Sequence, residues 1–583
     1  MTISPQAASS SIRPASPRTT VQARLPDERI FEAPPGTSLR DILEAATPAD
    51  GRPAVAAIVD GRLNELTTPL WDDADVVPVT AADTIGMRVY RRSLVCLLVT
   101  AAAEVFPEAA VIIDHAATTV GGYYCSVYGR PPFSQAELDR IAARMSEIVA
   151  ADAPIVRAAF TNEQAMAIFS ERGERDKARL VAHRAKRGIN LYELRGRRDY
   201  FQGYMLPSAG LLKHFALHAF PSGFMLQFPH QNRPTTLGPI QPYPKLFDVF
   251  EEYGSWLQRL GIRAVGALND AIVDGRLPEI SLVGEALHTL RIAQIASEIA
   301  SARDRIKVVL IAGPSSSGKT TFSKRLAVQL IAFGVRPYPL GLDDYFLDRA
   351  QTPRDESGDY DYESLRALDV PLFNEHLLSL MRGEQVKLPR YDFKSGTRVT
   401  GPTISLDGDN ILIVEGIHGL NPELVPGLPP DRVYRVYVSA LTQLNLDRHN
   451  RVATTDCRLI RRIVRDASTR GHDATATLHR WPSVVAGEKK HIFPFQENSD
   501  AVFNSALAHE VAVLRPLAEP LLLQVRPDSP QWLEANRLLS FLQWFRQAPA
   551  DAVPTNSILR EFLGGSVLET FRFETRGSFG RPS

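Results

Sequence analysis

At 583 residues, with 44% apolar and 23% charged side chains, the chain is too long for one hydrophobic core and reads as about three to five globular units. Its 66 basic and 66 acidic residues cancel, so no global field is available to hold a polyanion and any nucleic-acid contact must be a local patch. Cys96, Cys125 and Cys457 stand far apart with no CxxC spacing, which argues against a disulfide framework or a cysteine zinc site and fits a reducing cytoplasm.

In chain order, residues 1–24 are rich in Ser, Pro and Ala and contain no acid. They read either as a transit peptide or, since no apolar helical face is visible, as a disordered tail over 1–25. From 26 to 89, short strands and turns surround one helix opening at Ser38 after a Pro-Pro-Gly turn, the pattern of a small β-grasp unit. Residues 90–228 form an α+β unit with a helix over 94–105 and a second one on which Ile141, Met145 and Ile148 share a face. The longest apolar stretch, 94–103, is too short to cross a bilayer, so no membrane role is expected. A Pro-rich passage at 229–244 is the interdomain linker candidate, and helices over 245–300 lead into the next domain. There is no internal repeat.

The segment KVVLIAGPSSSGKTTFSKRLAVQLIAFG (307–334) carries the most chemistry. An apolar strand runs into Gly313-Pro-Ser-Ser-Ser-Gly318-Lys319-Thr320, and an amphipathic helix follows with Phe322, Leu326 and Leu330 on one face. A G-x-x-x-x-G-K-[ST] pattern between strand and helix is a phosphate-binding loop. Gly313, Ser315, Ser316, Ser317, Gly318, Lys319, Thr320 and Thr321 are its predicted ATP contacts: the glycines let amides approach phosphate, Lys319 neutralises charge and Thr320 can ligate Mg²⁺. The predicted fold here is α/β, with a doubly wound, mostly parallel sheet over 301–505. In such a sheet ligands collect at the carboxyl ends of strands. ILIVEG, after a turn at 407–410, places Glu415 at one strand end as a second metal-side acid, and LGLDDYF places Asp343 and Asp344 at another. Only one of that adjacent pair can face the cleft, and a carboxylate beside the γ-phosphate suits deprotonation of an attacking hydroxyl. No Asn-Lys-x-Asp guanine-reading motif occurs. The arginines of 456–473 cover more than one helical face; they read as a solvated basic helix or as mobile arginines closing over a triphosphate. The helices of 506–583 are expected to pack on this domain and to carry no chemistry.

In their order, the P-loop, LDDYF, GDYDYESLRALD, LPRYDF, IVEGI and RLIRRIVRDASTRG resemble the uridine kinase and phosphoribulokinase family over about 200 residues. The resemblance implies an ATP- and Mg²⁺-dependent kinase with Asp343 as catalytic base, Lys319, Arg465 and Arg470 on transition-state charge, and Thr320 and Glu415 at the metal. It further implies that Asp361 holds ribose hydroxyls and that Tyr391 lines the acceptor site. The pattern departs where uridine-cytidine kinases read the base: Gly396 stands in place of a His, and His472 and Arg480 replace an Arg and a Gln. A site that loses hydrogen-bonding partners for the base loses discrimination.

Residues 26–89 resemble the ubiquitin-like TGS module, and 90–228 resemble the second domain of threonyl-tRNA synthetase. That family's HxxxH, Cys and His editing positions fall on Arg92, Cys96, Phe201 and Met205, which implies that hydrolytic editing is lost. Between 172 and 198 there are ten Lys/Arg against three Asp/Glu, which suits a local RNA contact and equally a solvated helix face.

The expected function is phosphorylation of a small-molecule hydroxyl, with a nucleoside-like acceptor, in the cytoplasm. The alternatives are a sugar phosphate or polyol kinase and a nucleotide-gated RNA- or ribosome-binding regulator. A homo-oligomer is compatible with the sequence.

Overall fold

The structure, a computed structural model, describes residues 18–46, 51–117, 121–354, 358, 360–392, 395–406 and 410–571. Most of the expected tail, residues 1–17, and the turn at 407–409 lie outside the described residues. The tail expectation is corrected at its end. Val21–Arg24 is a strand, paired antiparallel with Ile30–Ala33 and parallel with Ala74–Thr80, because its alternate residues Val21 and Ala23 have a core to enter. These strands, with Ala54–Val59 and Arg62–Asn64, form a five-stranded mixed sheet against helix Leu39–Ala46, the expected β-grasp layout.

The boundary expected at residue 89 falls inside helix α1, Thr84–Val105, whose buried face runs unbroken from Met87 to Ala102. The helix packs on a four-stranded antiparallel sheet that includes strand β1, Gly122–Tyr128. Helix Gln135–Ala150 packs beside it and opens with the reciprocal Ser134–Glu137 cap that S-x-x-E encodes. The 229–244 passage is tied down rather than free: Tyr243 is buried among His115, Phe220 and Phe247.

The P-loop domain is built on strand β2, Val308–Ala312, every residue of which is buried, as a central parallel strand covered on both faces requires. Helix α2, Lys319–Ala332, follows, then β3, Arg336–Gly341, β4, Asn410–Glu415, and β5, Val433–Ser439. Next come helix α3, Thr454–Arg465, helix α4, Ala474–His491, and strand β6, Ala501–Asn504. The sheet order is β3-β4-β2-β5-β6, all parallel, with Ile311 and Gly341 both paired to Glu415. The strand ends expected to carry chemistry therefore lie side by side. On α2, Phe322, Leu326 and Leu330 are fully buried, contributing about 2 kcal/mol each.

The β-grasp unit and the P-loop domain each have a core of their own, and a further core crosses the units. One cluster joins Phe169 and Leu191 of the synthetase-like part, Leu268 of the connecting helices, Leu459 and Ile463 of α3, and Leu538 and Leu542 near the C-terminus. The residues after 505 are thus an integral wall of the P-loop domain. Among the described residues, no helix is long and apolar enough to cross a membrane.

Candidate active site

Between β2 and α2 the loop turns through Ser316 at φ 59° and Gly318 at φ 86°. Left-handed residues in succession turn backbone amides inward to a concavity that suits an anion, and a non-glycine residue held there is strain retained at a functional position. A side-chain carbon on Gly318 would lie 2.5 Å from Ile558 Cγ2. Glycine is thus required both by its φ and by a residue 240 positions away in the chain.

At the strand ends, the Thr320 hydroxyl donates to Glu415 Oε2 at 3.1 Å. Asp343 and Asp344 lie in a 3₁₀ turn after β3 and part as expected. Asp344 Oδ1 accepts the Tyr391 N–H at 3.2 Å, while Asp343 opens to the cleft and interacts with Lys319, Arg470 and Arg465. Burial raises the Asp343 carboxyl above its ordinary range; the three cations pull it back and Asp344 pushes the same way as burial. Arg465 and Arg470 are gathered by Asp466, buried in a π-helical turn after α3: Arg465 donates to its Oδ1 at 3.0 and 3.2 Å, and Arg470 Nε lies 3.7 Å away. Arg462 makes a third contact with Asp466, at 3.2 Å, so cationic charge exceeds the carboxylate that organises it.

The structure divides the predicted acceptor residues. Tyr391 is buried, its ring 5.6 Å from Phe346, and is brought beside Asp344. Asp361 accepts the Glu363 N–H at 3.2 Å and faces His491 instead of the Asp343 cluster. The carboxylate that does enter the cluster is Glu363, two residues on, within the influence of Lys319, Arg462, Asp343 and Glu488. Gly487 leaves the space it occupies. His472 and Arg480 are exposed and are not brought to the cluster; the His472 N–H donates to the Asp466 carbonyl.

The reading of 456–473 as a solvated or mobile basic helix is corrected for its first turns. Arg458 and Arg461 are 1% and 0% exposed, because each meets a buried carboxylate. Arg458 grips Glu488 at 2.5 and 2.7 Å, and Arg461 pairs with Glu510. Both helices are pinned to the loop. Arg458 donates to the Ser315 carbonyl at 2.9 Å, Arg462 to Ser315 Oγ at 2.7 Å, and the Ser315 N–H donates to Glu488 Oε1 at 2.9 Å. The C-terminal part reaches the loop itself. Glu561, on the short helix Arg560–Leu563, accepts from the Thr321 hydroxyl at 2.9 Å and its N–H at 3.3 Å. Two loop amides thus already hold carboxylates, and Lys319 Nζ rests on the Pro314 carbonyl at 3.2 Å.

Thr320 and Glu415, a hydroxyl and a carboxylate of raised proton affinity, are the hard oxygen donors a Mg²⁺ ion prefers. Glu415 is pushed up to about 7, by burial first and with Asp343 adding; Glu363 is also pushed up to about 7, by burial and then by Glu488. Folded values above the ordinary 4.5 mean that each group contributes stability fully present below pH 4.5 and lost as pH rises through about 7. Metal-free Glu415→Gln protein should therefore lose less stability than wild type between pH 4.5 and 7 in thermal melts; an equal or steeper loss would contradict the assignment.

The four positions that the resemblance aligns with editing residues sit in packed surroundings. Arg92 donates to the Tyr204 carbonyl, Phe201 and Met205 are core residues, and burial pushes the Cys96 thiol up to about 12. Of the basic run at 172–198, Arg172, Lys177, Arg179, Arg195, Arg197 and Arg198 are engaged in ion pairs.

Comparison with known proteins agrees with this division. Residues 308–512 match the family model for the Phosphoribulokinase / Uridine kinase family. The N-terminal part matches threonine–tRNA ligases: that of Pelobacter propionicus is 31% identical over 199 residues, 34% of this chain and 31% of the ligase. The ligase of Hyphomonas neptunium is 34% identical over 194 residues, 33% of this chain and 29% of the ligase. The chain thus spans about a third of the length of the curated relatives it matches. Similar solved structures include a putative fructose transport system kinase from Silicibacter sp. TM1040, at 17% identity and a TM-score of 0.25, covering 36% of this chain and 98% of that one. A possible uridine kinase from Bacillus stearothermophilus gives 21% identity and a TM-score of 0.23, covering 34% and 89%. The chain thus joins a C-terminal region that matches the Phosphoribulokinase / Uridine kinase family model to an N-terminal part similar to threonine–tRNA ligases.

Proposed function

We propose that the protein is an ATP- and Mg²⁺-dependent kinase that phosphorylates a hydroxyl of a small, nucleoside-like molecule. The observation that carries this reading is the meeting of Asp343 with Lys319, Arg465 and Arg470 beside the glycine-rich loop. In the proposed reaction, loop amides and Lys319 hold the terminal phosphates, and Asp343 takes the proton of the acceptor hydroxyl as it attacks. Arg465 and Arg470 oppose the charge that builds on the transferring group. Thr320 and Glu415 would hold Mg²⁺, which when bound neutralises phosphate charge. Glu363, the carboxylate that enters the cluster, supplies an acceptor for hydroxyls of the incoming molecule. Bound nucleotide takes the amides now held by Glu488 and Glu561, so those carboxylates must yield as it binds.

A second reading, a kinase of a sugar phosphate or polyol, draws on one feature. Arg349 packs against Gly396, whose lack of a side chain gives its guanidinium room, and reaches the Tyr362 hydroxyl at 3.3 Å. A cation at the acceptor mouth suits an anionic acceptor. The test is release of ADP from Mg-ATP by the full chain over a panel of nucleosides, sugars and sugar phosphates. Nucleoside-stimulated release is the expected result, stimulation by sugar phosphates alone would select the second reading, and no stimulation by any acceptor would overturn both.

A further inference from the structure

Among the described residues the buried arginines are matched by carboxylates: Arg458 by Glu488, Arg461 by Glu510 and Arg325 by Glu285. Arg91, on α1, and Arg451, three residues before α3, are half-buried and have no such partner. They come from opposite halves of the chain and converge on one aromatic pair. Arg91 Cζ lies 4.5 Å from the Phe228 ring centroid and Arg451 Cζ 5.1 Å from that of Tyr123 on β1, with the two rings 4.7 Å apart and edge to face. Both guanidiniums face the Tyr123 hydroxyl, a neutral group. The Nε atoms of both are buried without a hydrogen-bond partner, as are those of Arg458 and Arg461, but unlike those two neither residue makes an ion pair among the described residues. Asp456 and Asp114 act on Arg451 only from beyond ion-pair distance, and Asp456 already holds Arg537. At the rim stand exposed Lys489, on α4, and half-buried His230, whose ring lies against Gly121. Burial lowers the proton affinity of all four groups. The Arg91 charge depresses Lys489 and His230 further, and Arg91 and Arg451 stand close enough for Arg451 to depress Arg91.

Cations enclosed without a counter-charge are expensive, and buried charges are ordinarily paired or hold a ligand. We propose that Arg91, Arg451, Lys489 and His230 form an anion site between the two halves of the protein that takes the phosphate group of a small phosphorylated molecule. Two forked guanidiniums and an ammonium call for a dianion with several acceptor oxygens, which phosphate supplies and a single carboxylate does not. A small molecule fits better than a polynucleotide, because the adjacent basic run that a nucleic-acid backbone would follow is largely consumed by ion pairs. The site adjoins the loop machinery: Lys489 follows Glu488, which holds the Ser315 N–H, and Arg451 precedes the helix whose arginines hold Ser315 and Ser316.

Inorganic pyrophosphate titrated calorimetrically into the full chain is the probe, in a Lys319→Ala background that weakens binding at the glycine-rich loop. One pyrophosphate should bind per chain. Lys489→Gln, on an exposed helix face where folding is not at risk, should weaken it by about tenfold, and Arg91→Gln by about thirtyfold or more. Absence of pyrophosphate binding in the Lys319→Ala protein, or an affinity unmoved by Lys489→Gln, would overturn the site whether or not the Arg91→Gln chain folds. Displacement of pyrophosphate by substoichiometric tRNA would instead assign the pocket to a polynucleotide and overturn the small-molecule reading.

Discussion

Asp343→Asn protein should retain its affinity for Mg-nucleotide while acceptor-dependent turnover falls by about 10³-fold. Asparagine keeps the size and most of the polar contacts of aspartate but cannot take a proton. The environment shows why this group would matter. Burial raises the proton affinity of Asp343 against the pull of Lys319, Arg470 and Arg465, which makes it a stronger proton acceptor than an ordinary aspartate. Glu363, pushed up to about 7 within the same cluster, is the group that could substitute for it. Comparing Asp343→Asn with Glu363→Gln in ADP release and in nucleotide calorimetry therefore separates the two. A large loss of turnover confined to Glu363→Gln, with Asp343→Asn within tenfold of wild type, would move the base assignment.

Arg458→Met should destabilise the protein by about 3–5 kcal/mol in chemical denaturation, the cost of stranding one member of a buried ion pair. Methionine fills most of the volume, so the loss is electrostatic in origin. It leaves Glu488, fully buried, with the Ser315 N–H and the more distant Arg462 charge to oppose its own, and removes the donor to the Ser315 carbonyl. Adding Glu488→Gln to Arg458→Met should recover most of the loss, since the residual amide needs no counter-ion. A double variant no more stable than the single one would show that the pair acts through packing against Trp481, which Arg458 covers at 5.4 Å, and not through charge.

These two predictions draw on different depths of information. Lys319, Thr320, Glu415 and Asp343 were legible in the chain itself, because a parallel strand is an unbroken apolar run and its end is marked by the first polar or glycine residue after it. Once β2 and β4 are read that way and β3 is set beside β4, their pairing brings the three carboxyl ends together. Arg465 and Arg470 were legible from motif order. The acceptor residues were only half legible: Asp361 and Glu363 are both acids in one short loop, and which of them turns inward depends on how that loop folds and on the room left by Gly487, 124 positions away.

By itself, then, the sequence determined the glycine-rich loop and the parallel sheet beneath it, since each is a local pattern whose meaning survives any arrangement of the rest. Tertiary structure alone decided that the arginines of α3 are buried, that Val21–Arg24 is a strand, that Glu561 reaches Thr321 and that Arg91 meets Arg451. In each of those cases the partner lies tens to hundreds of residues away, and a charged or apolar side chain carries no mark of the distant group that will neutralise or cover it.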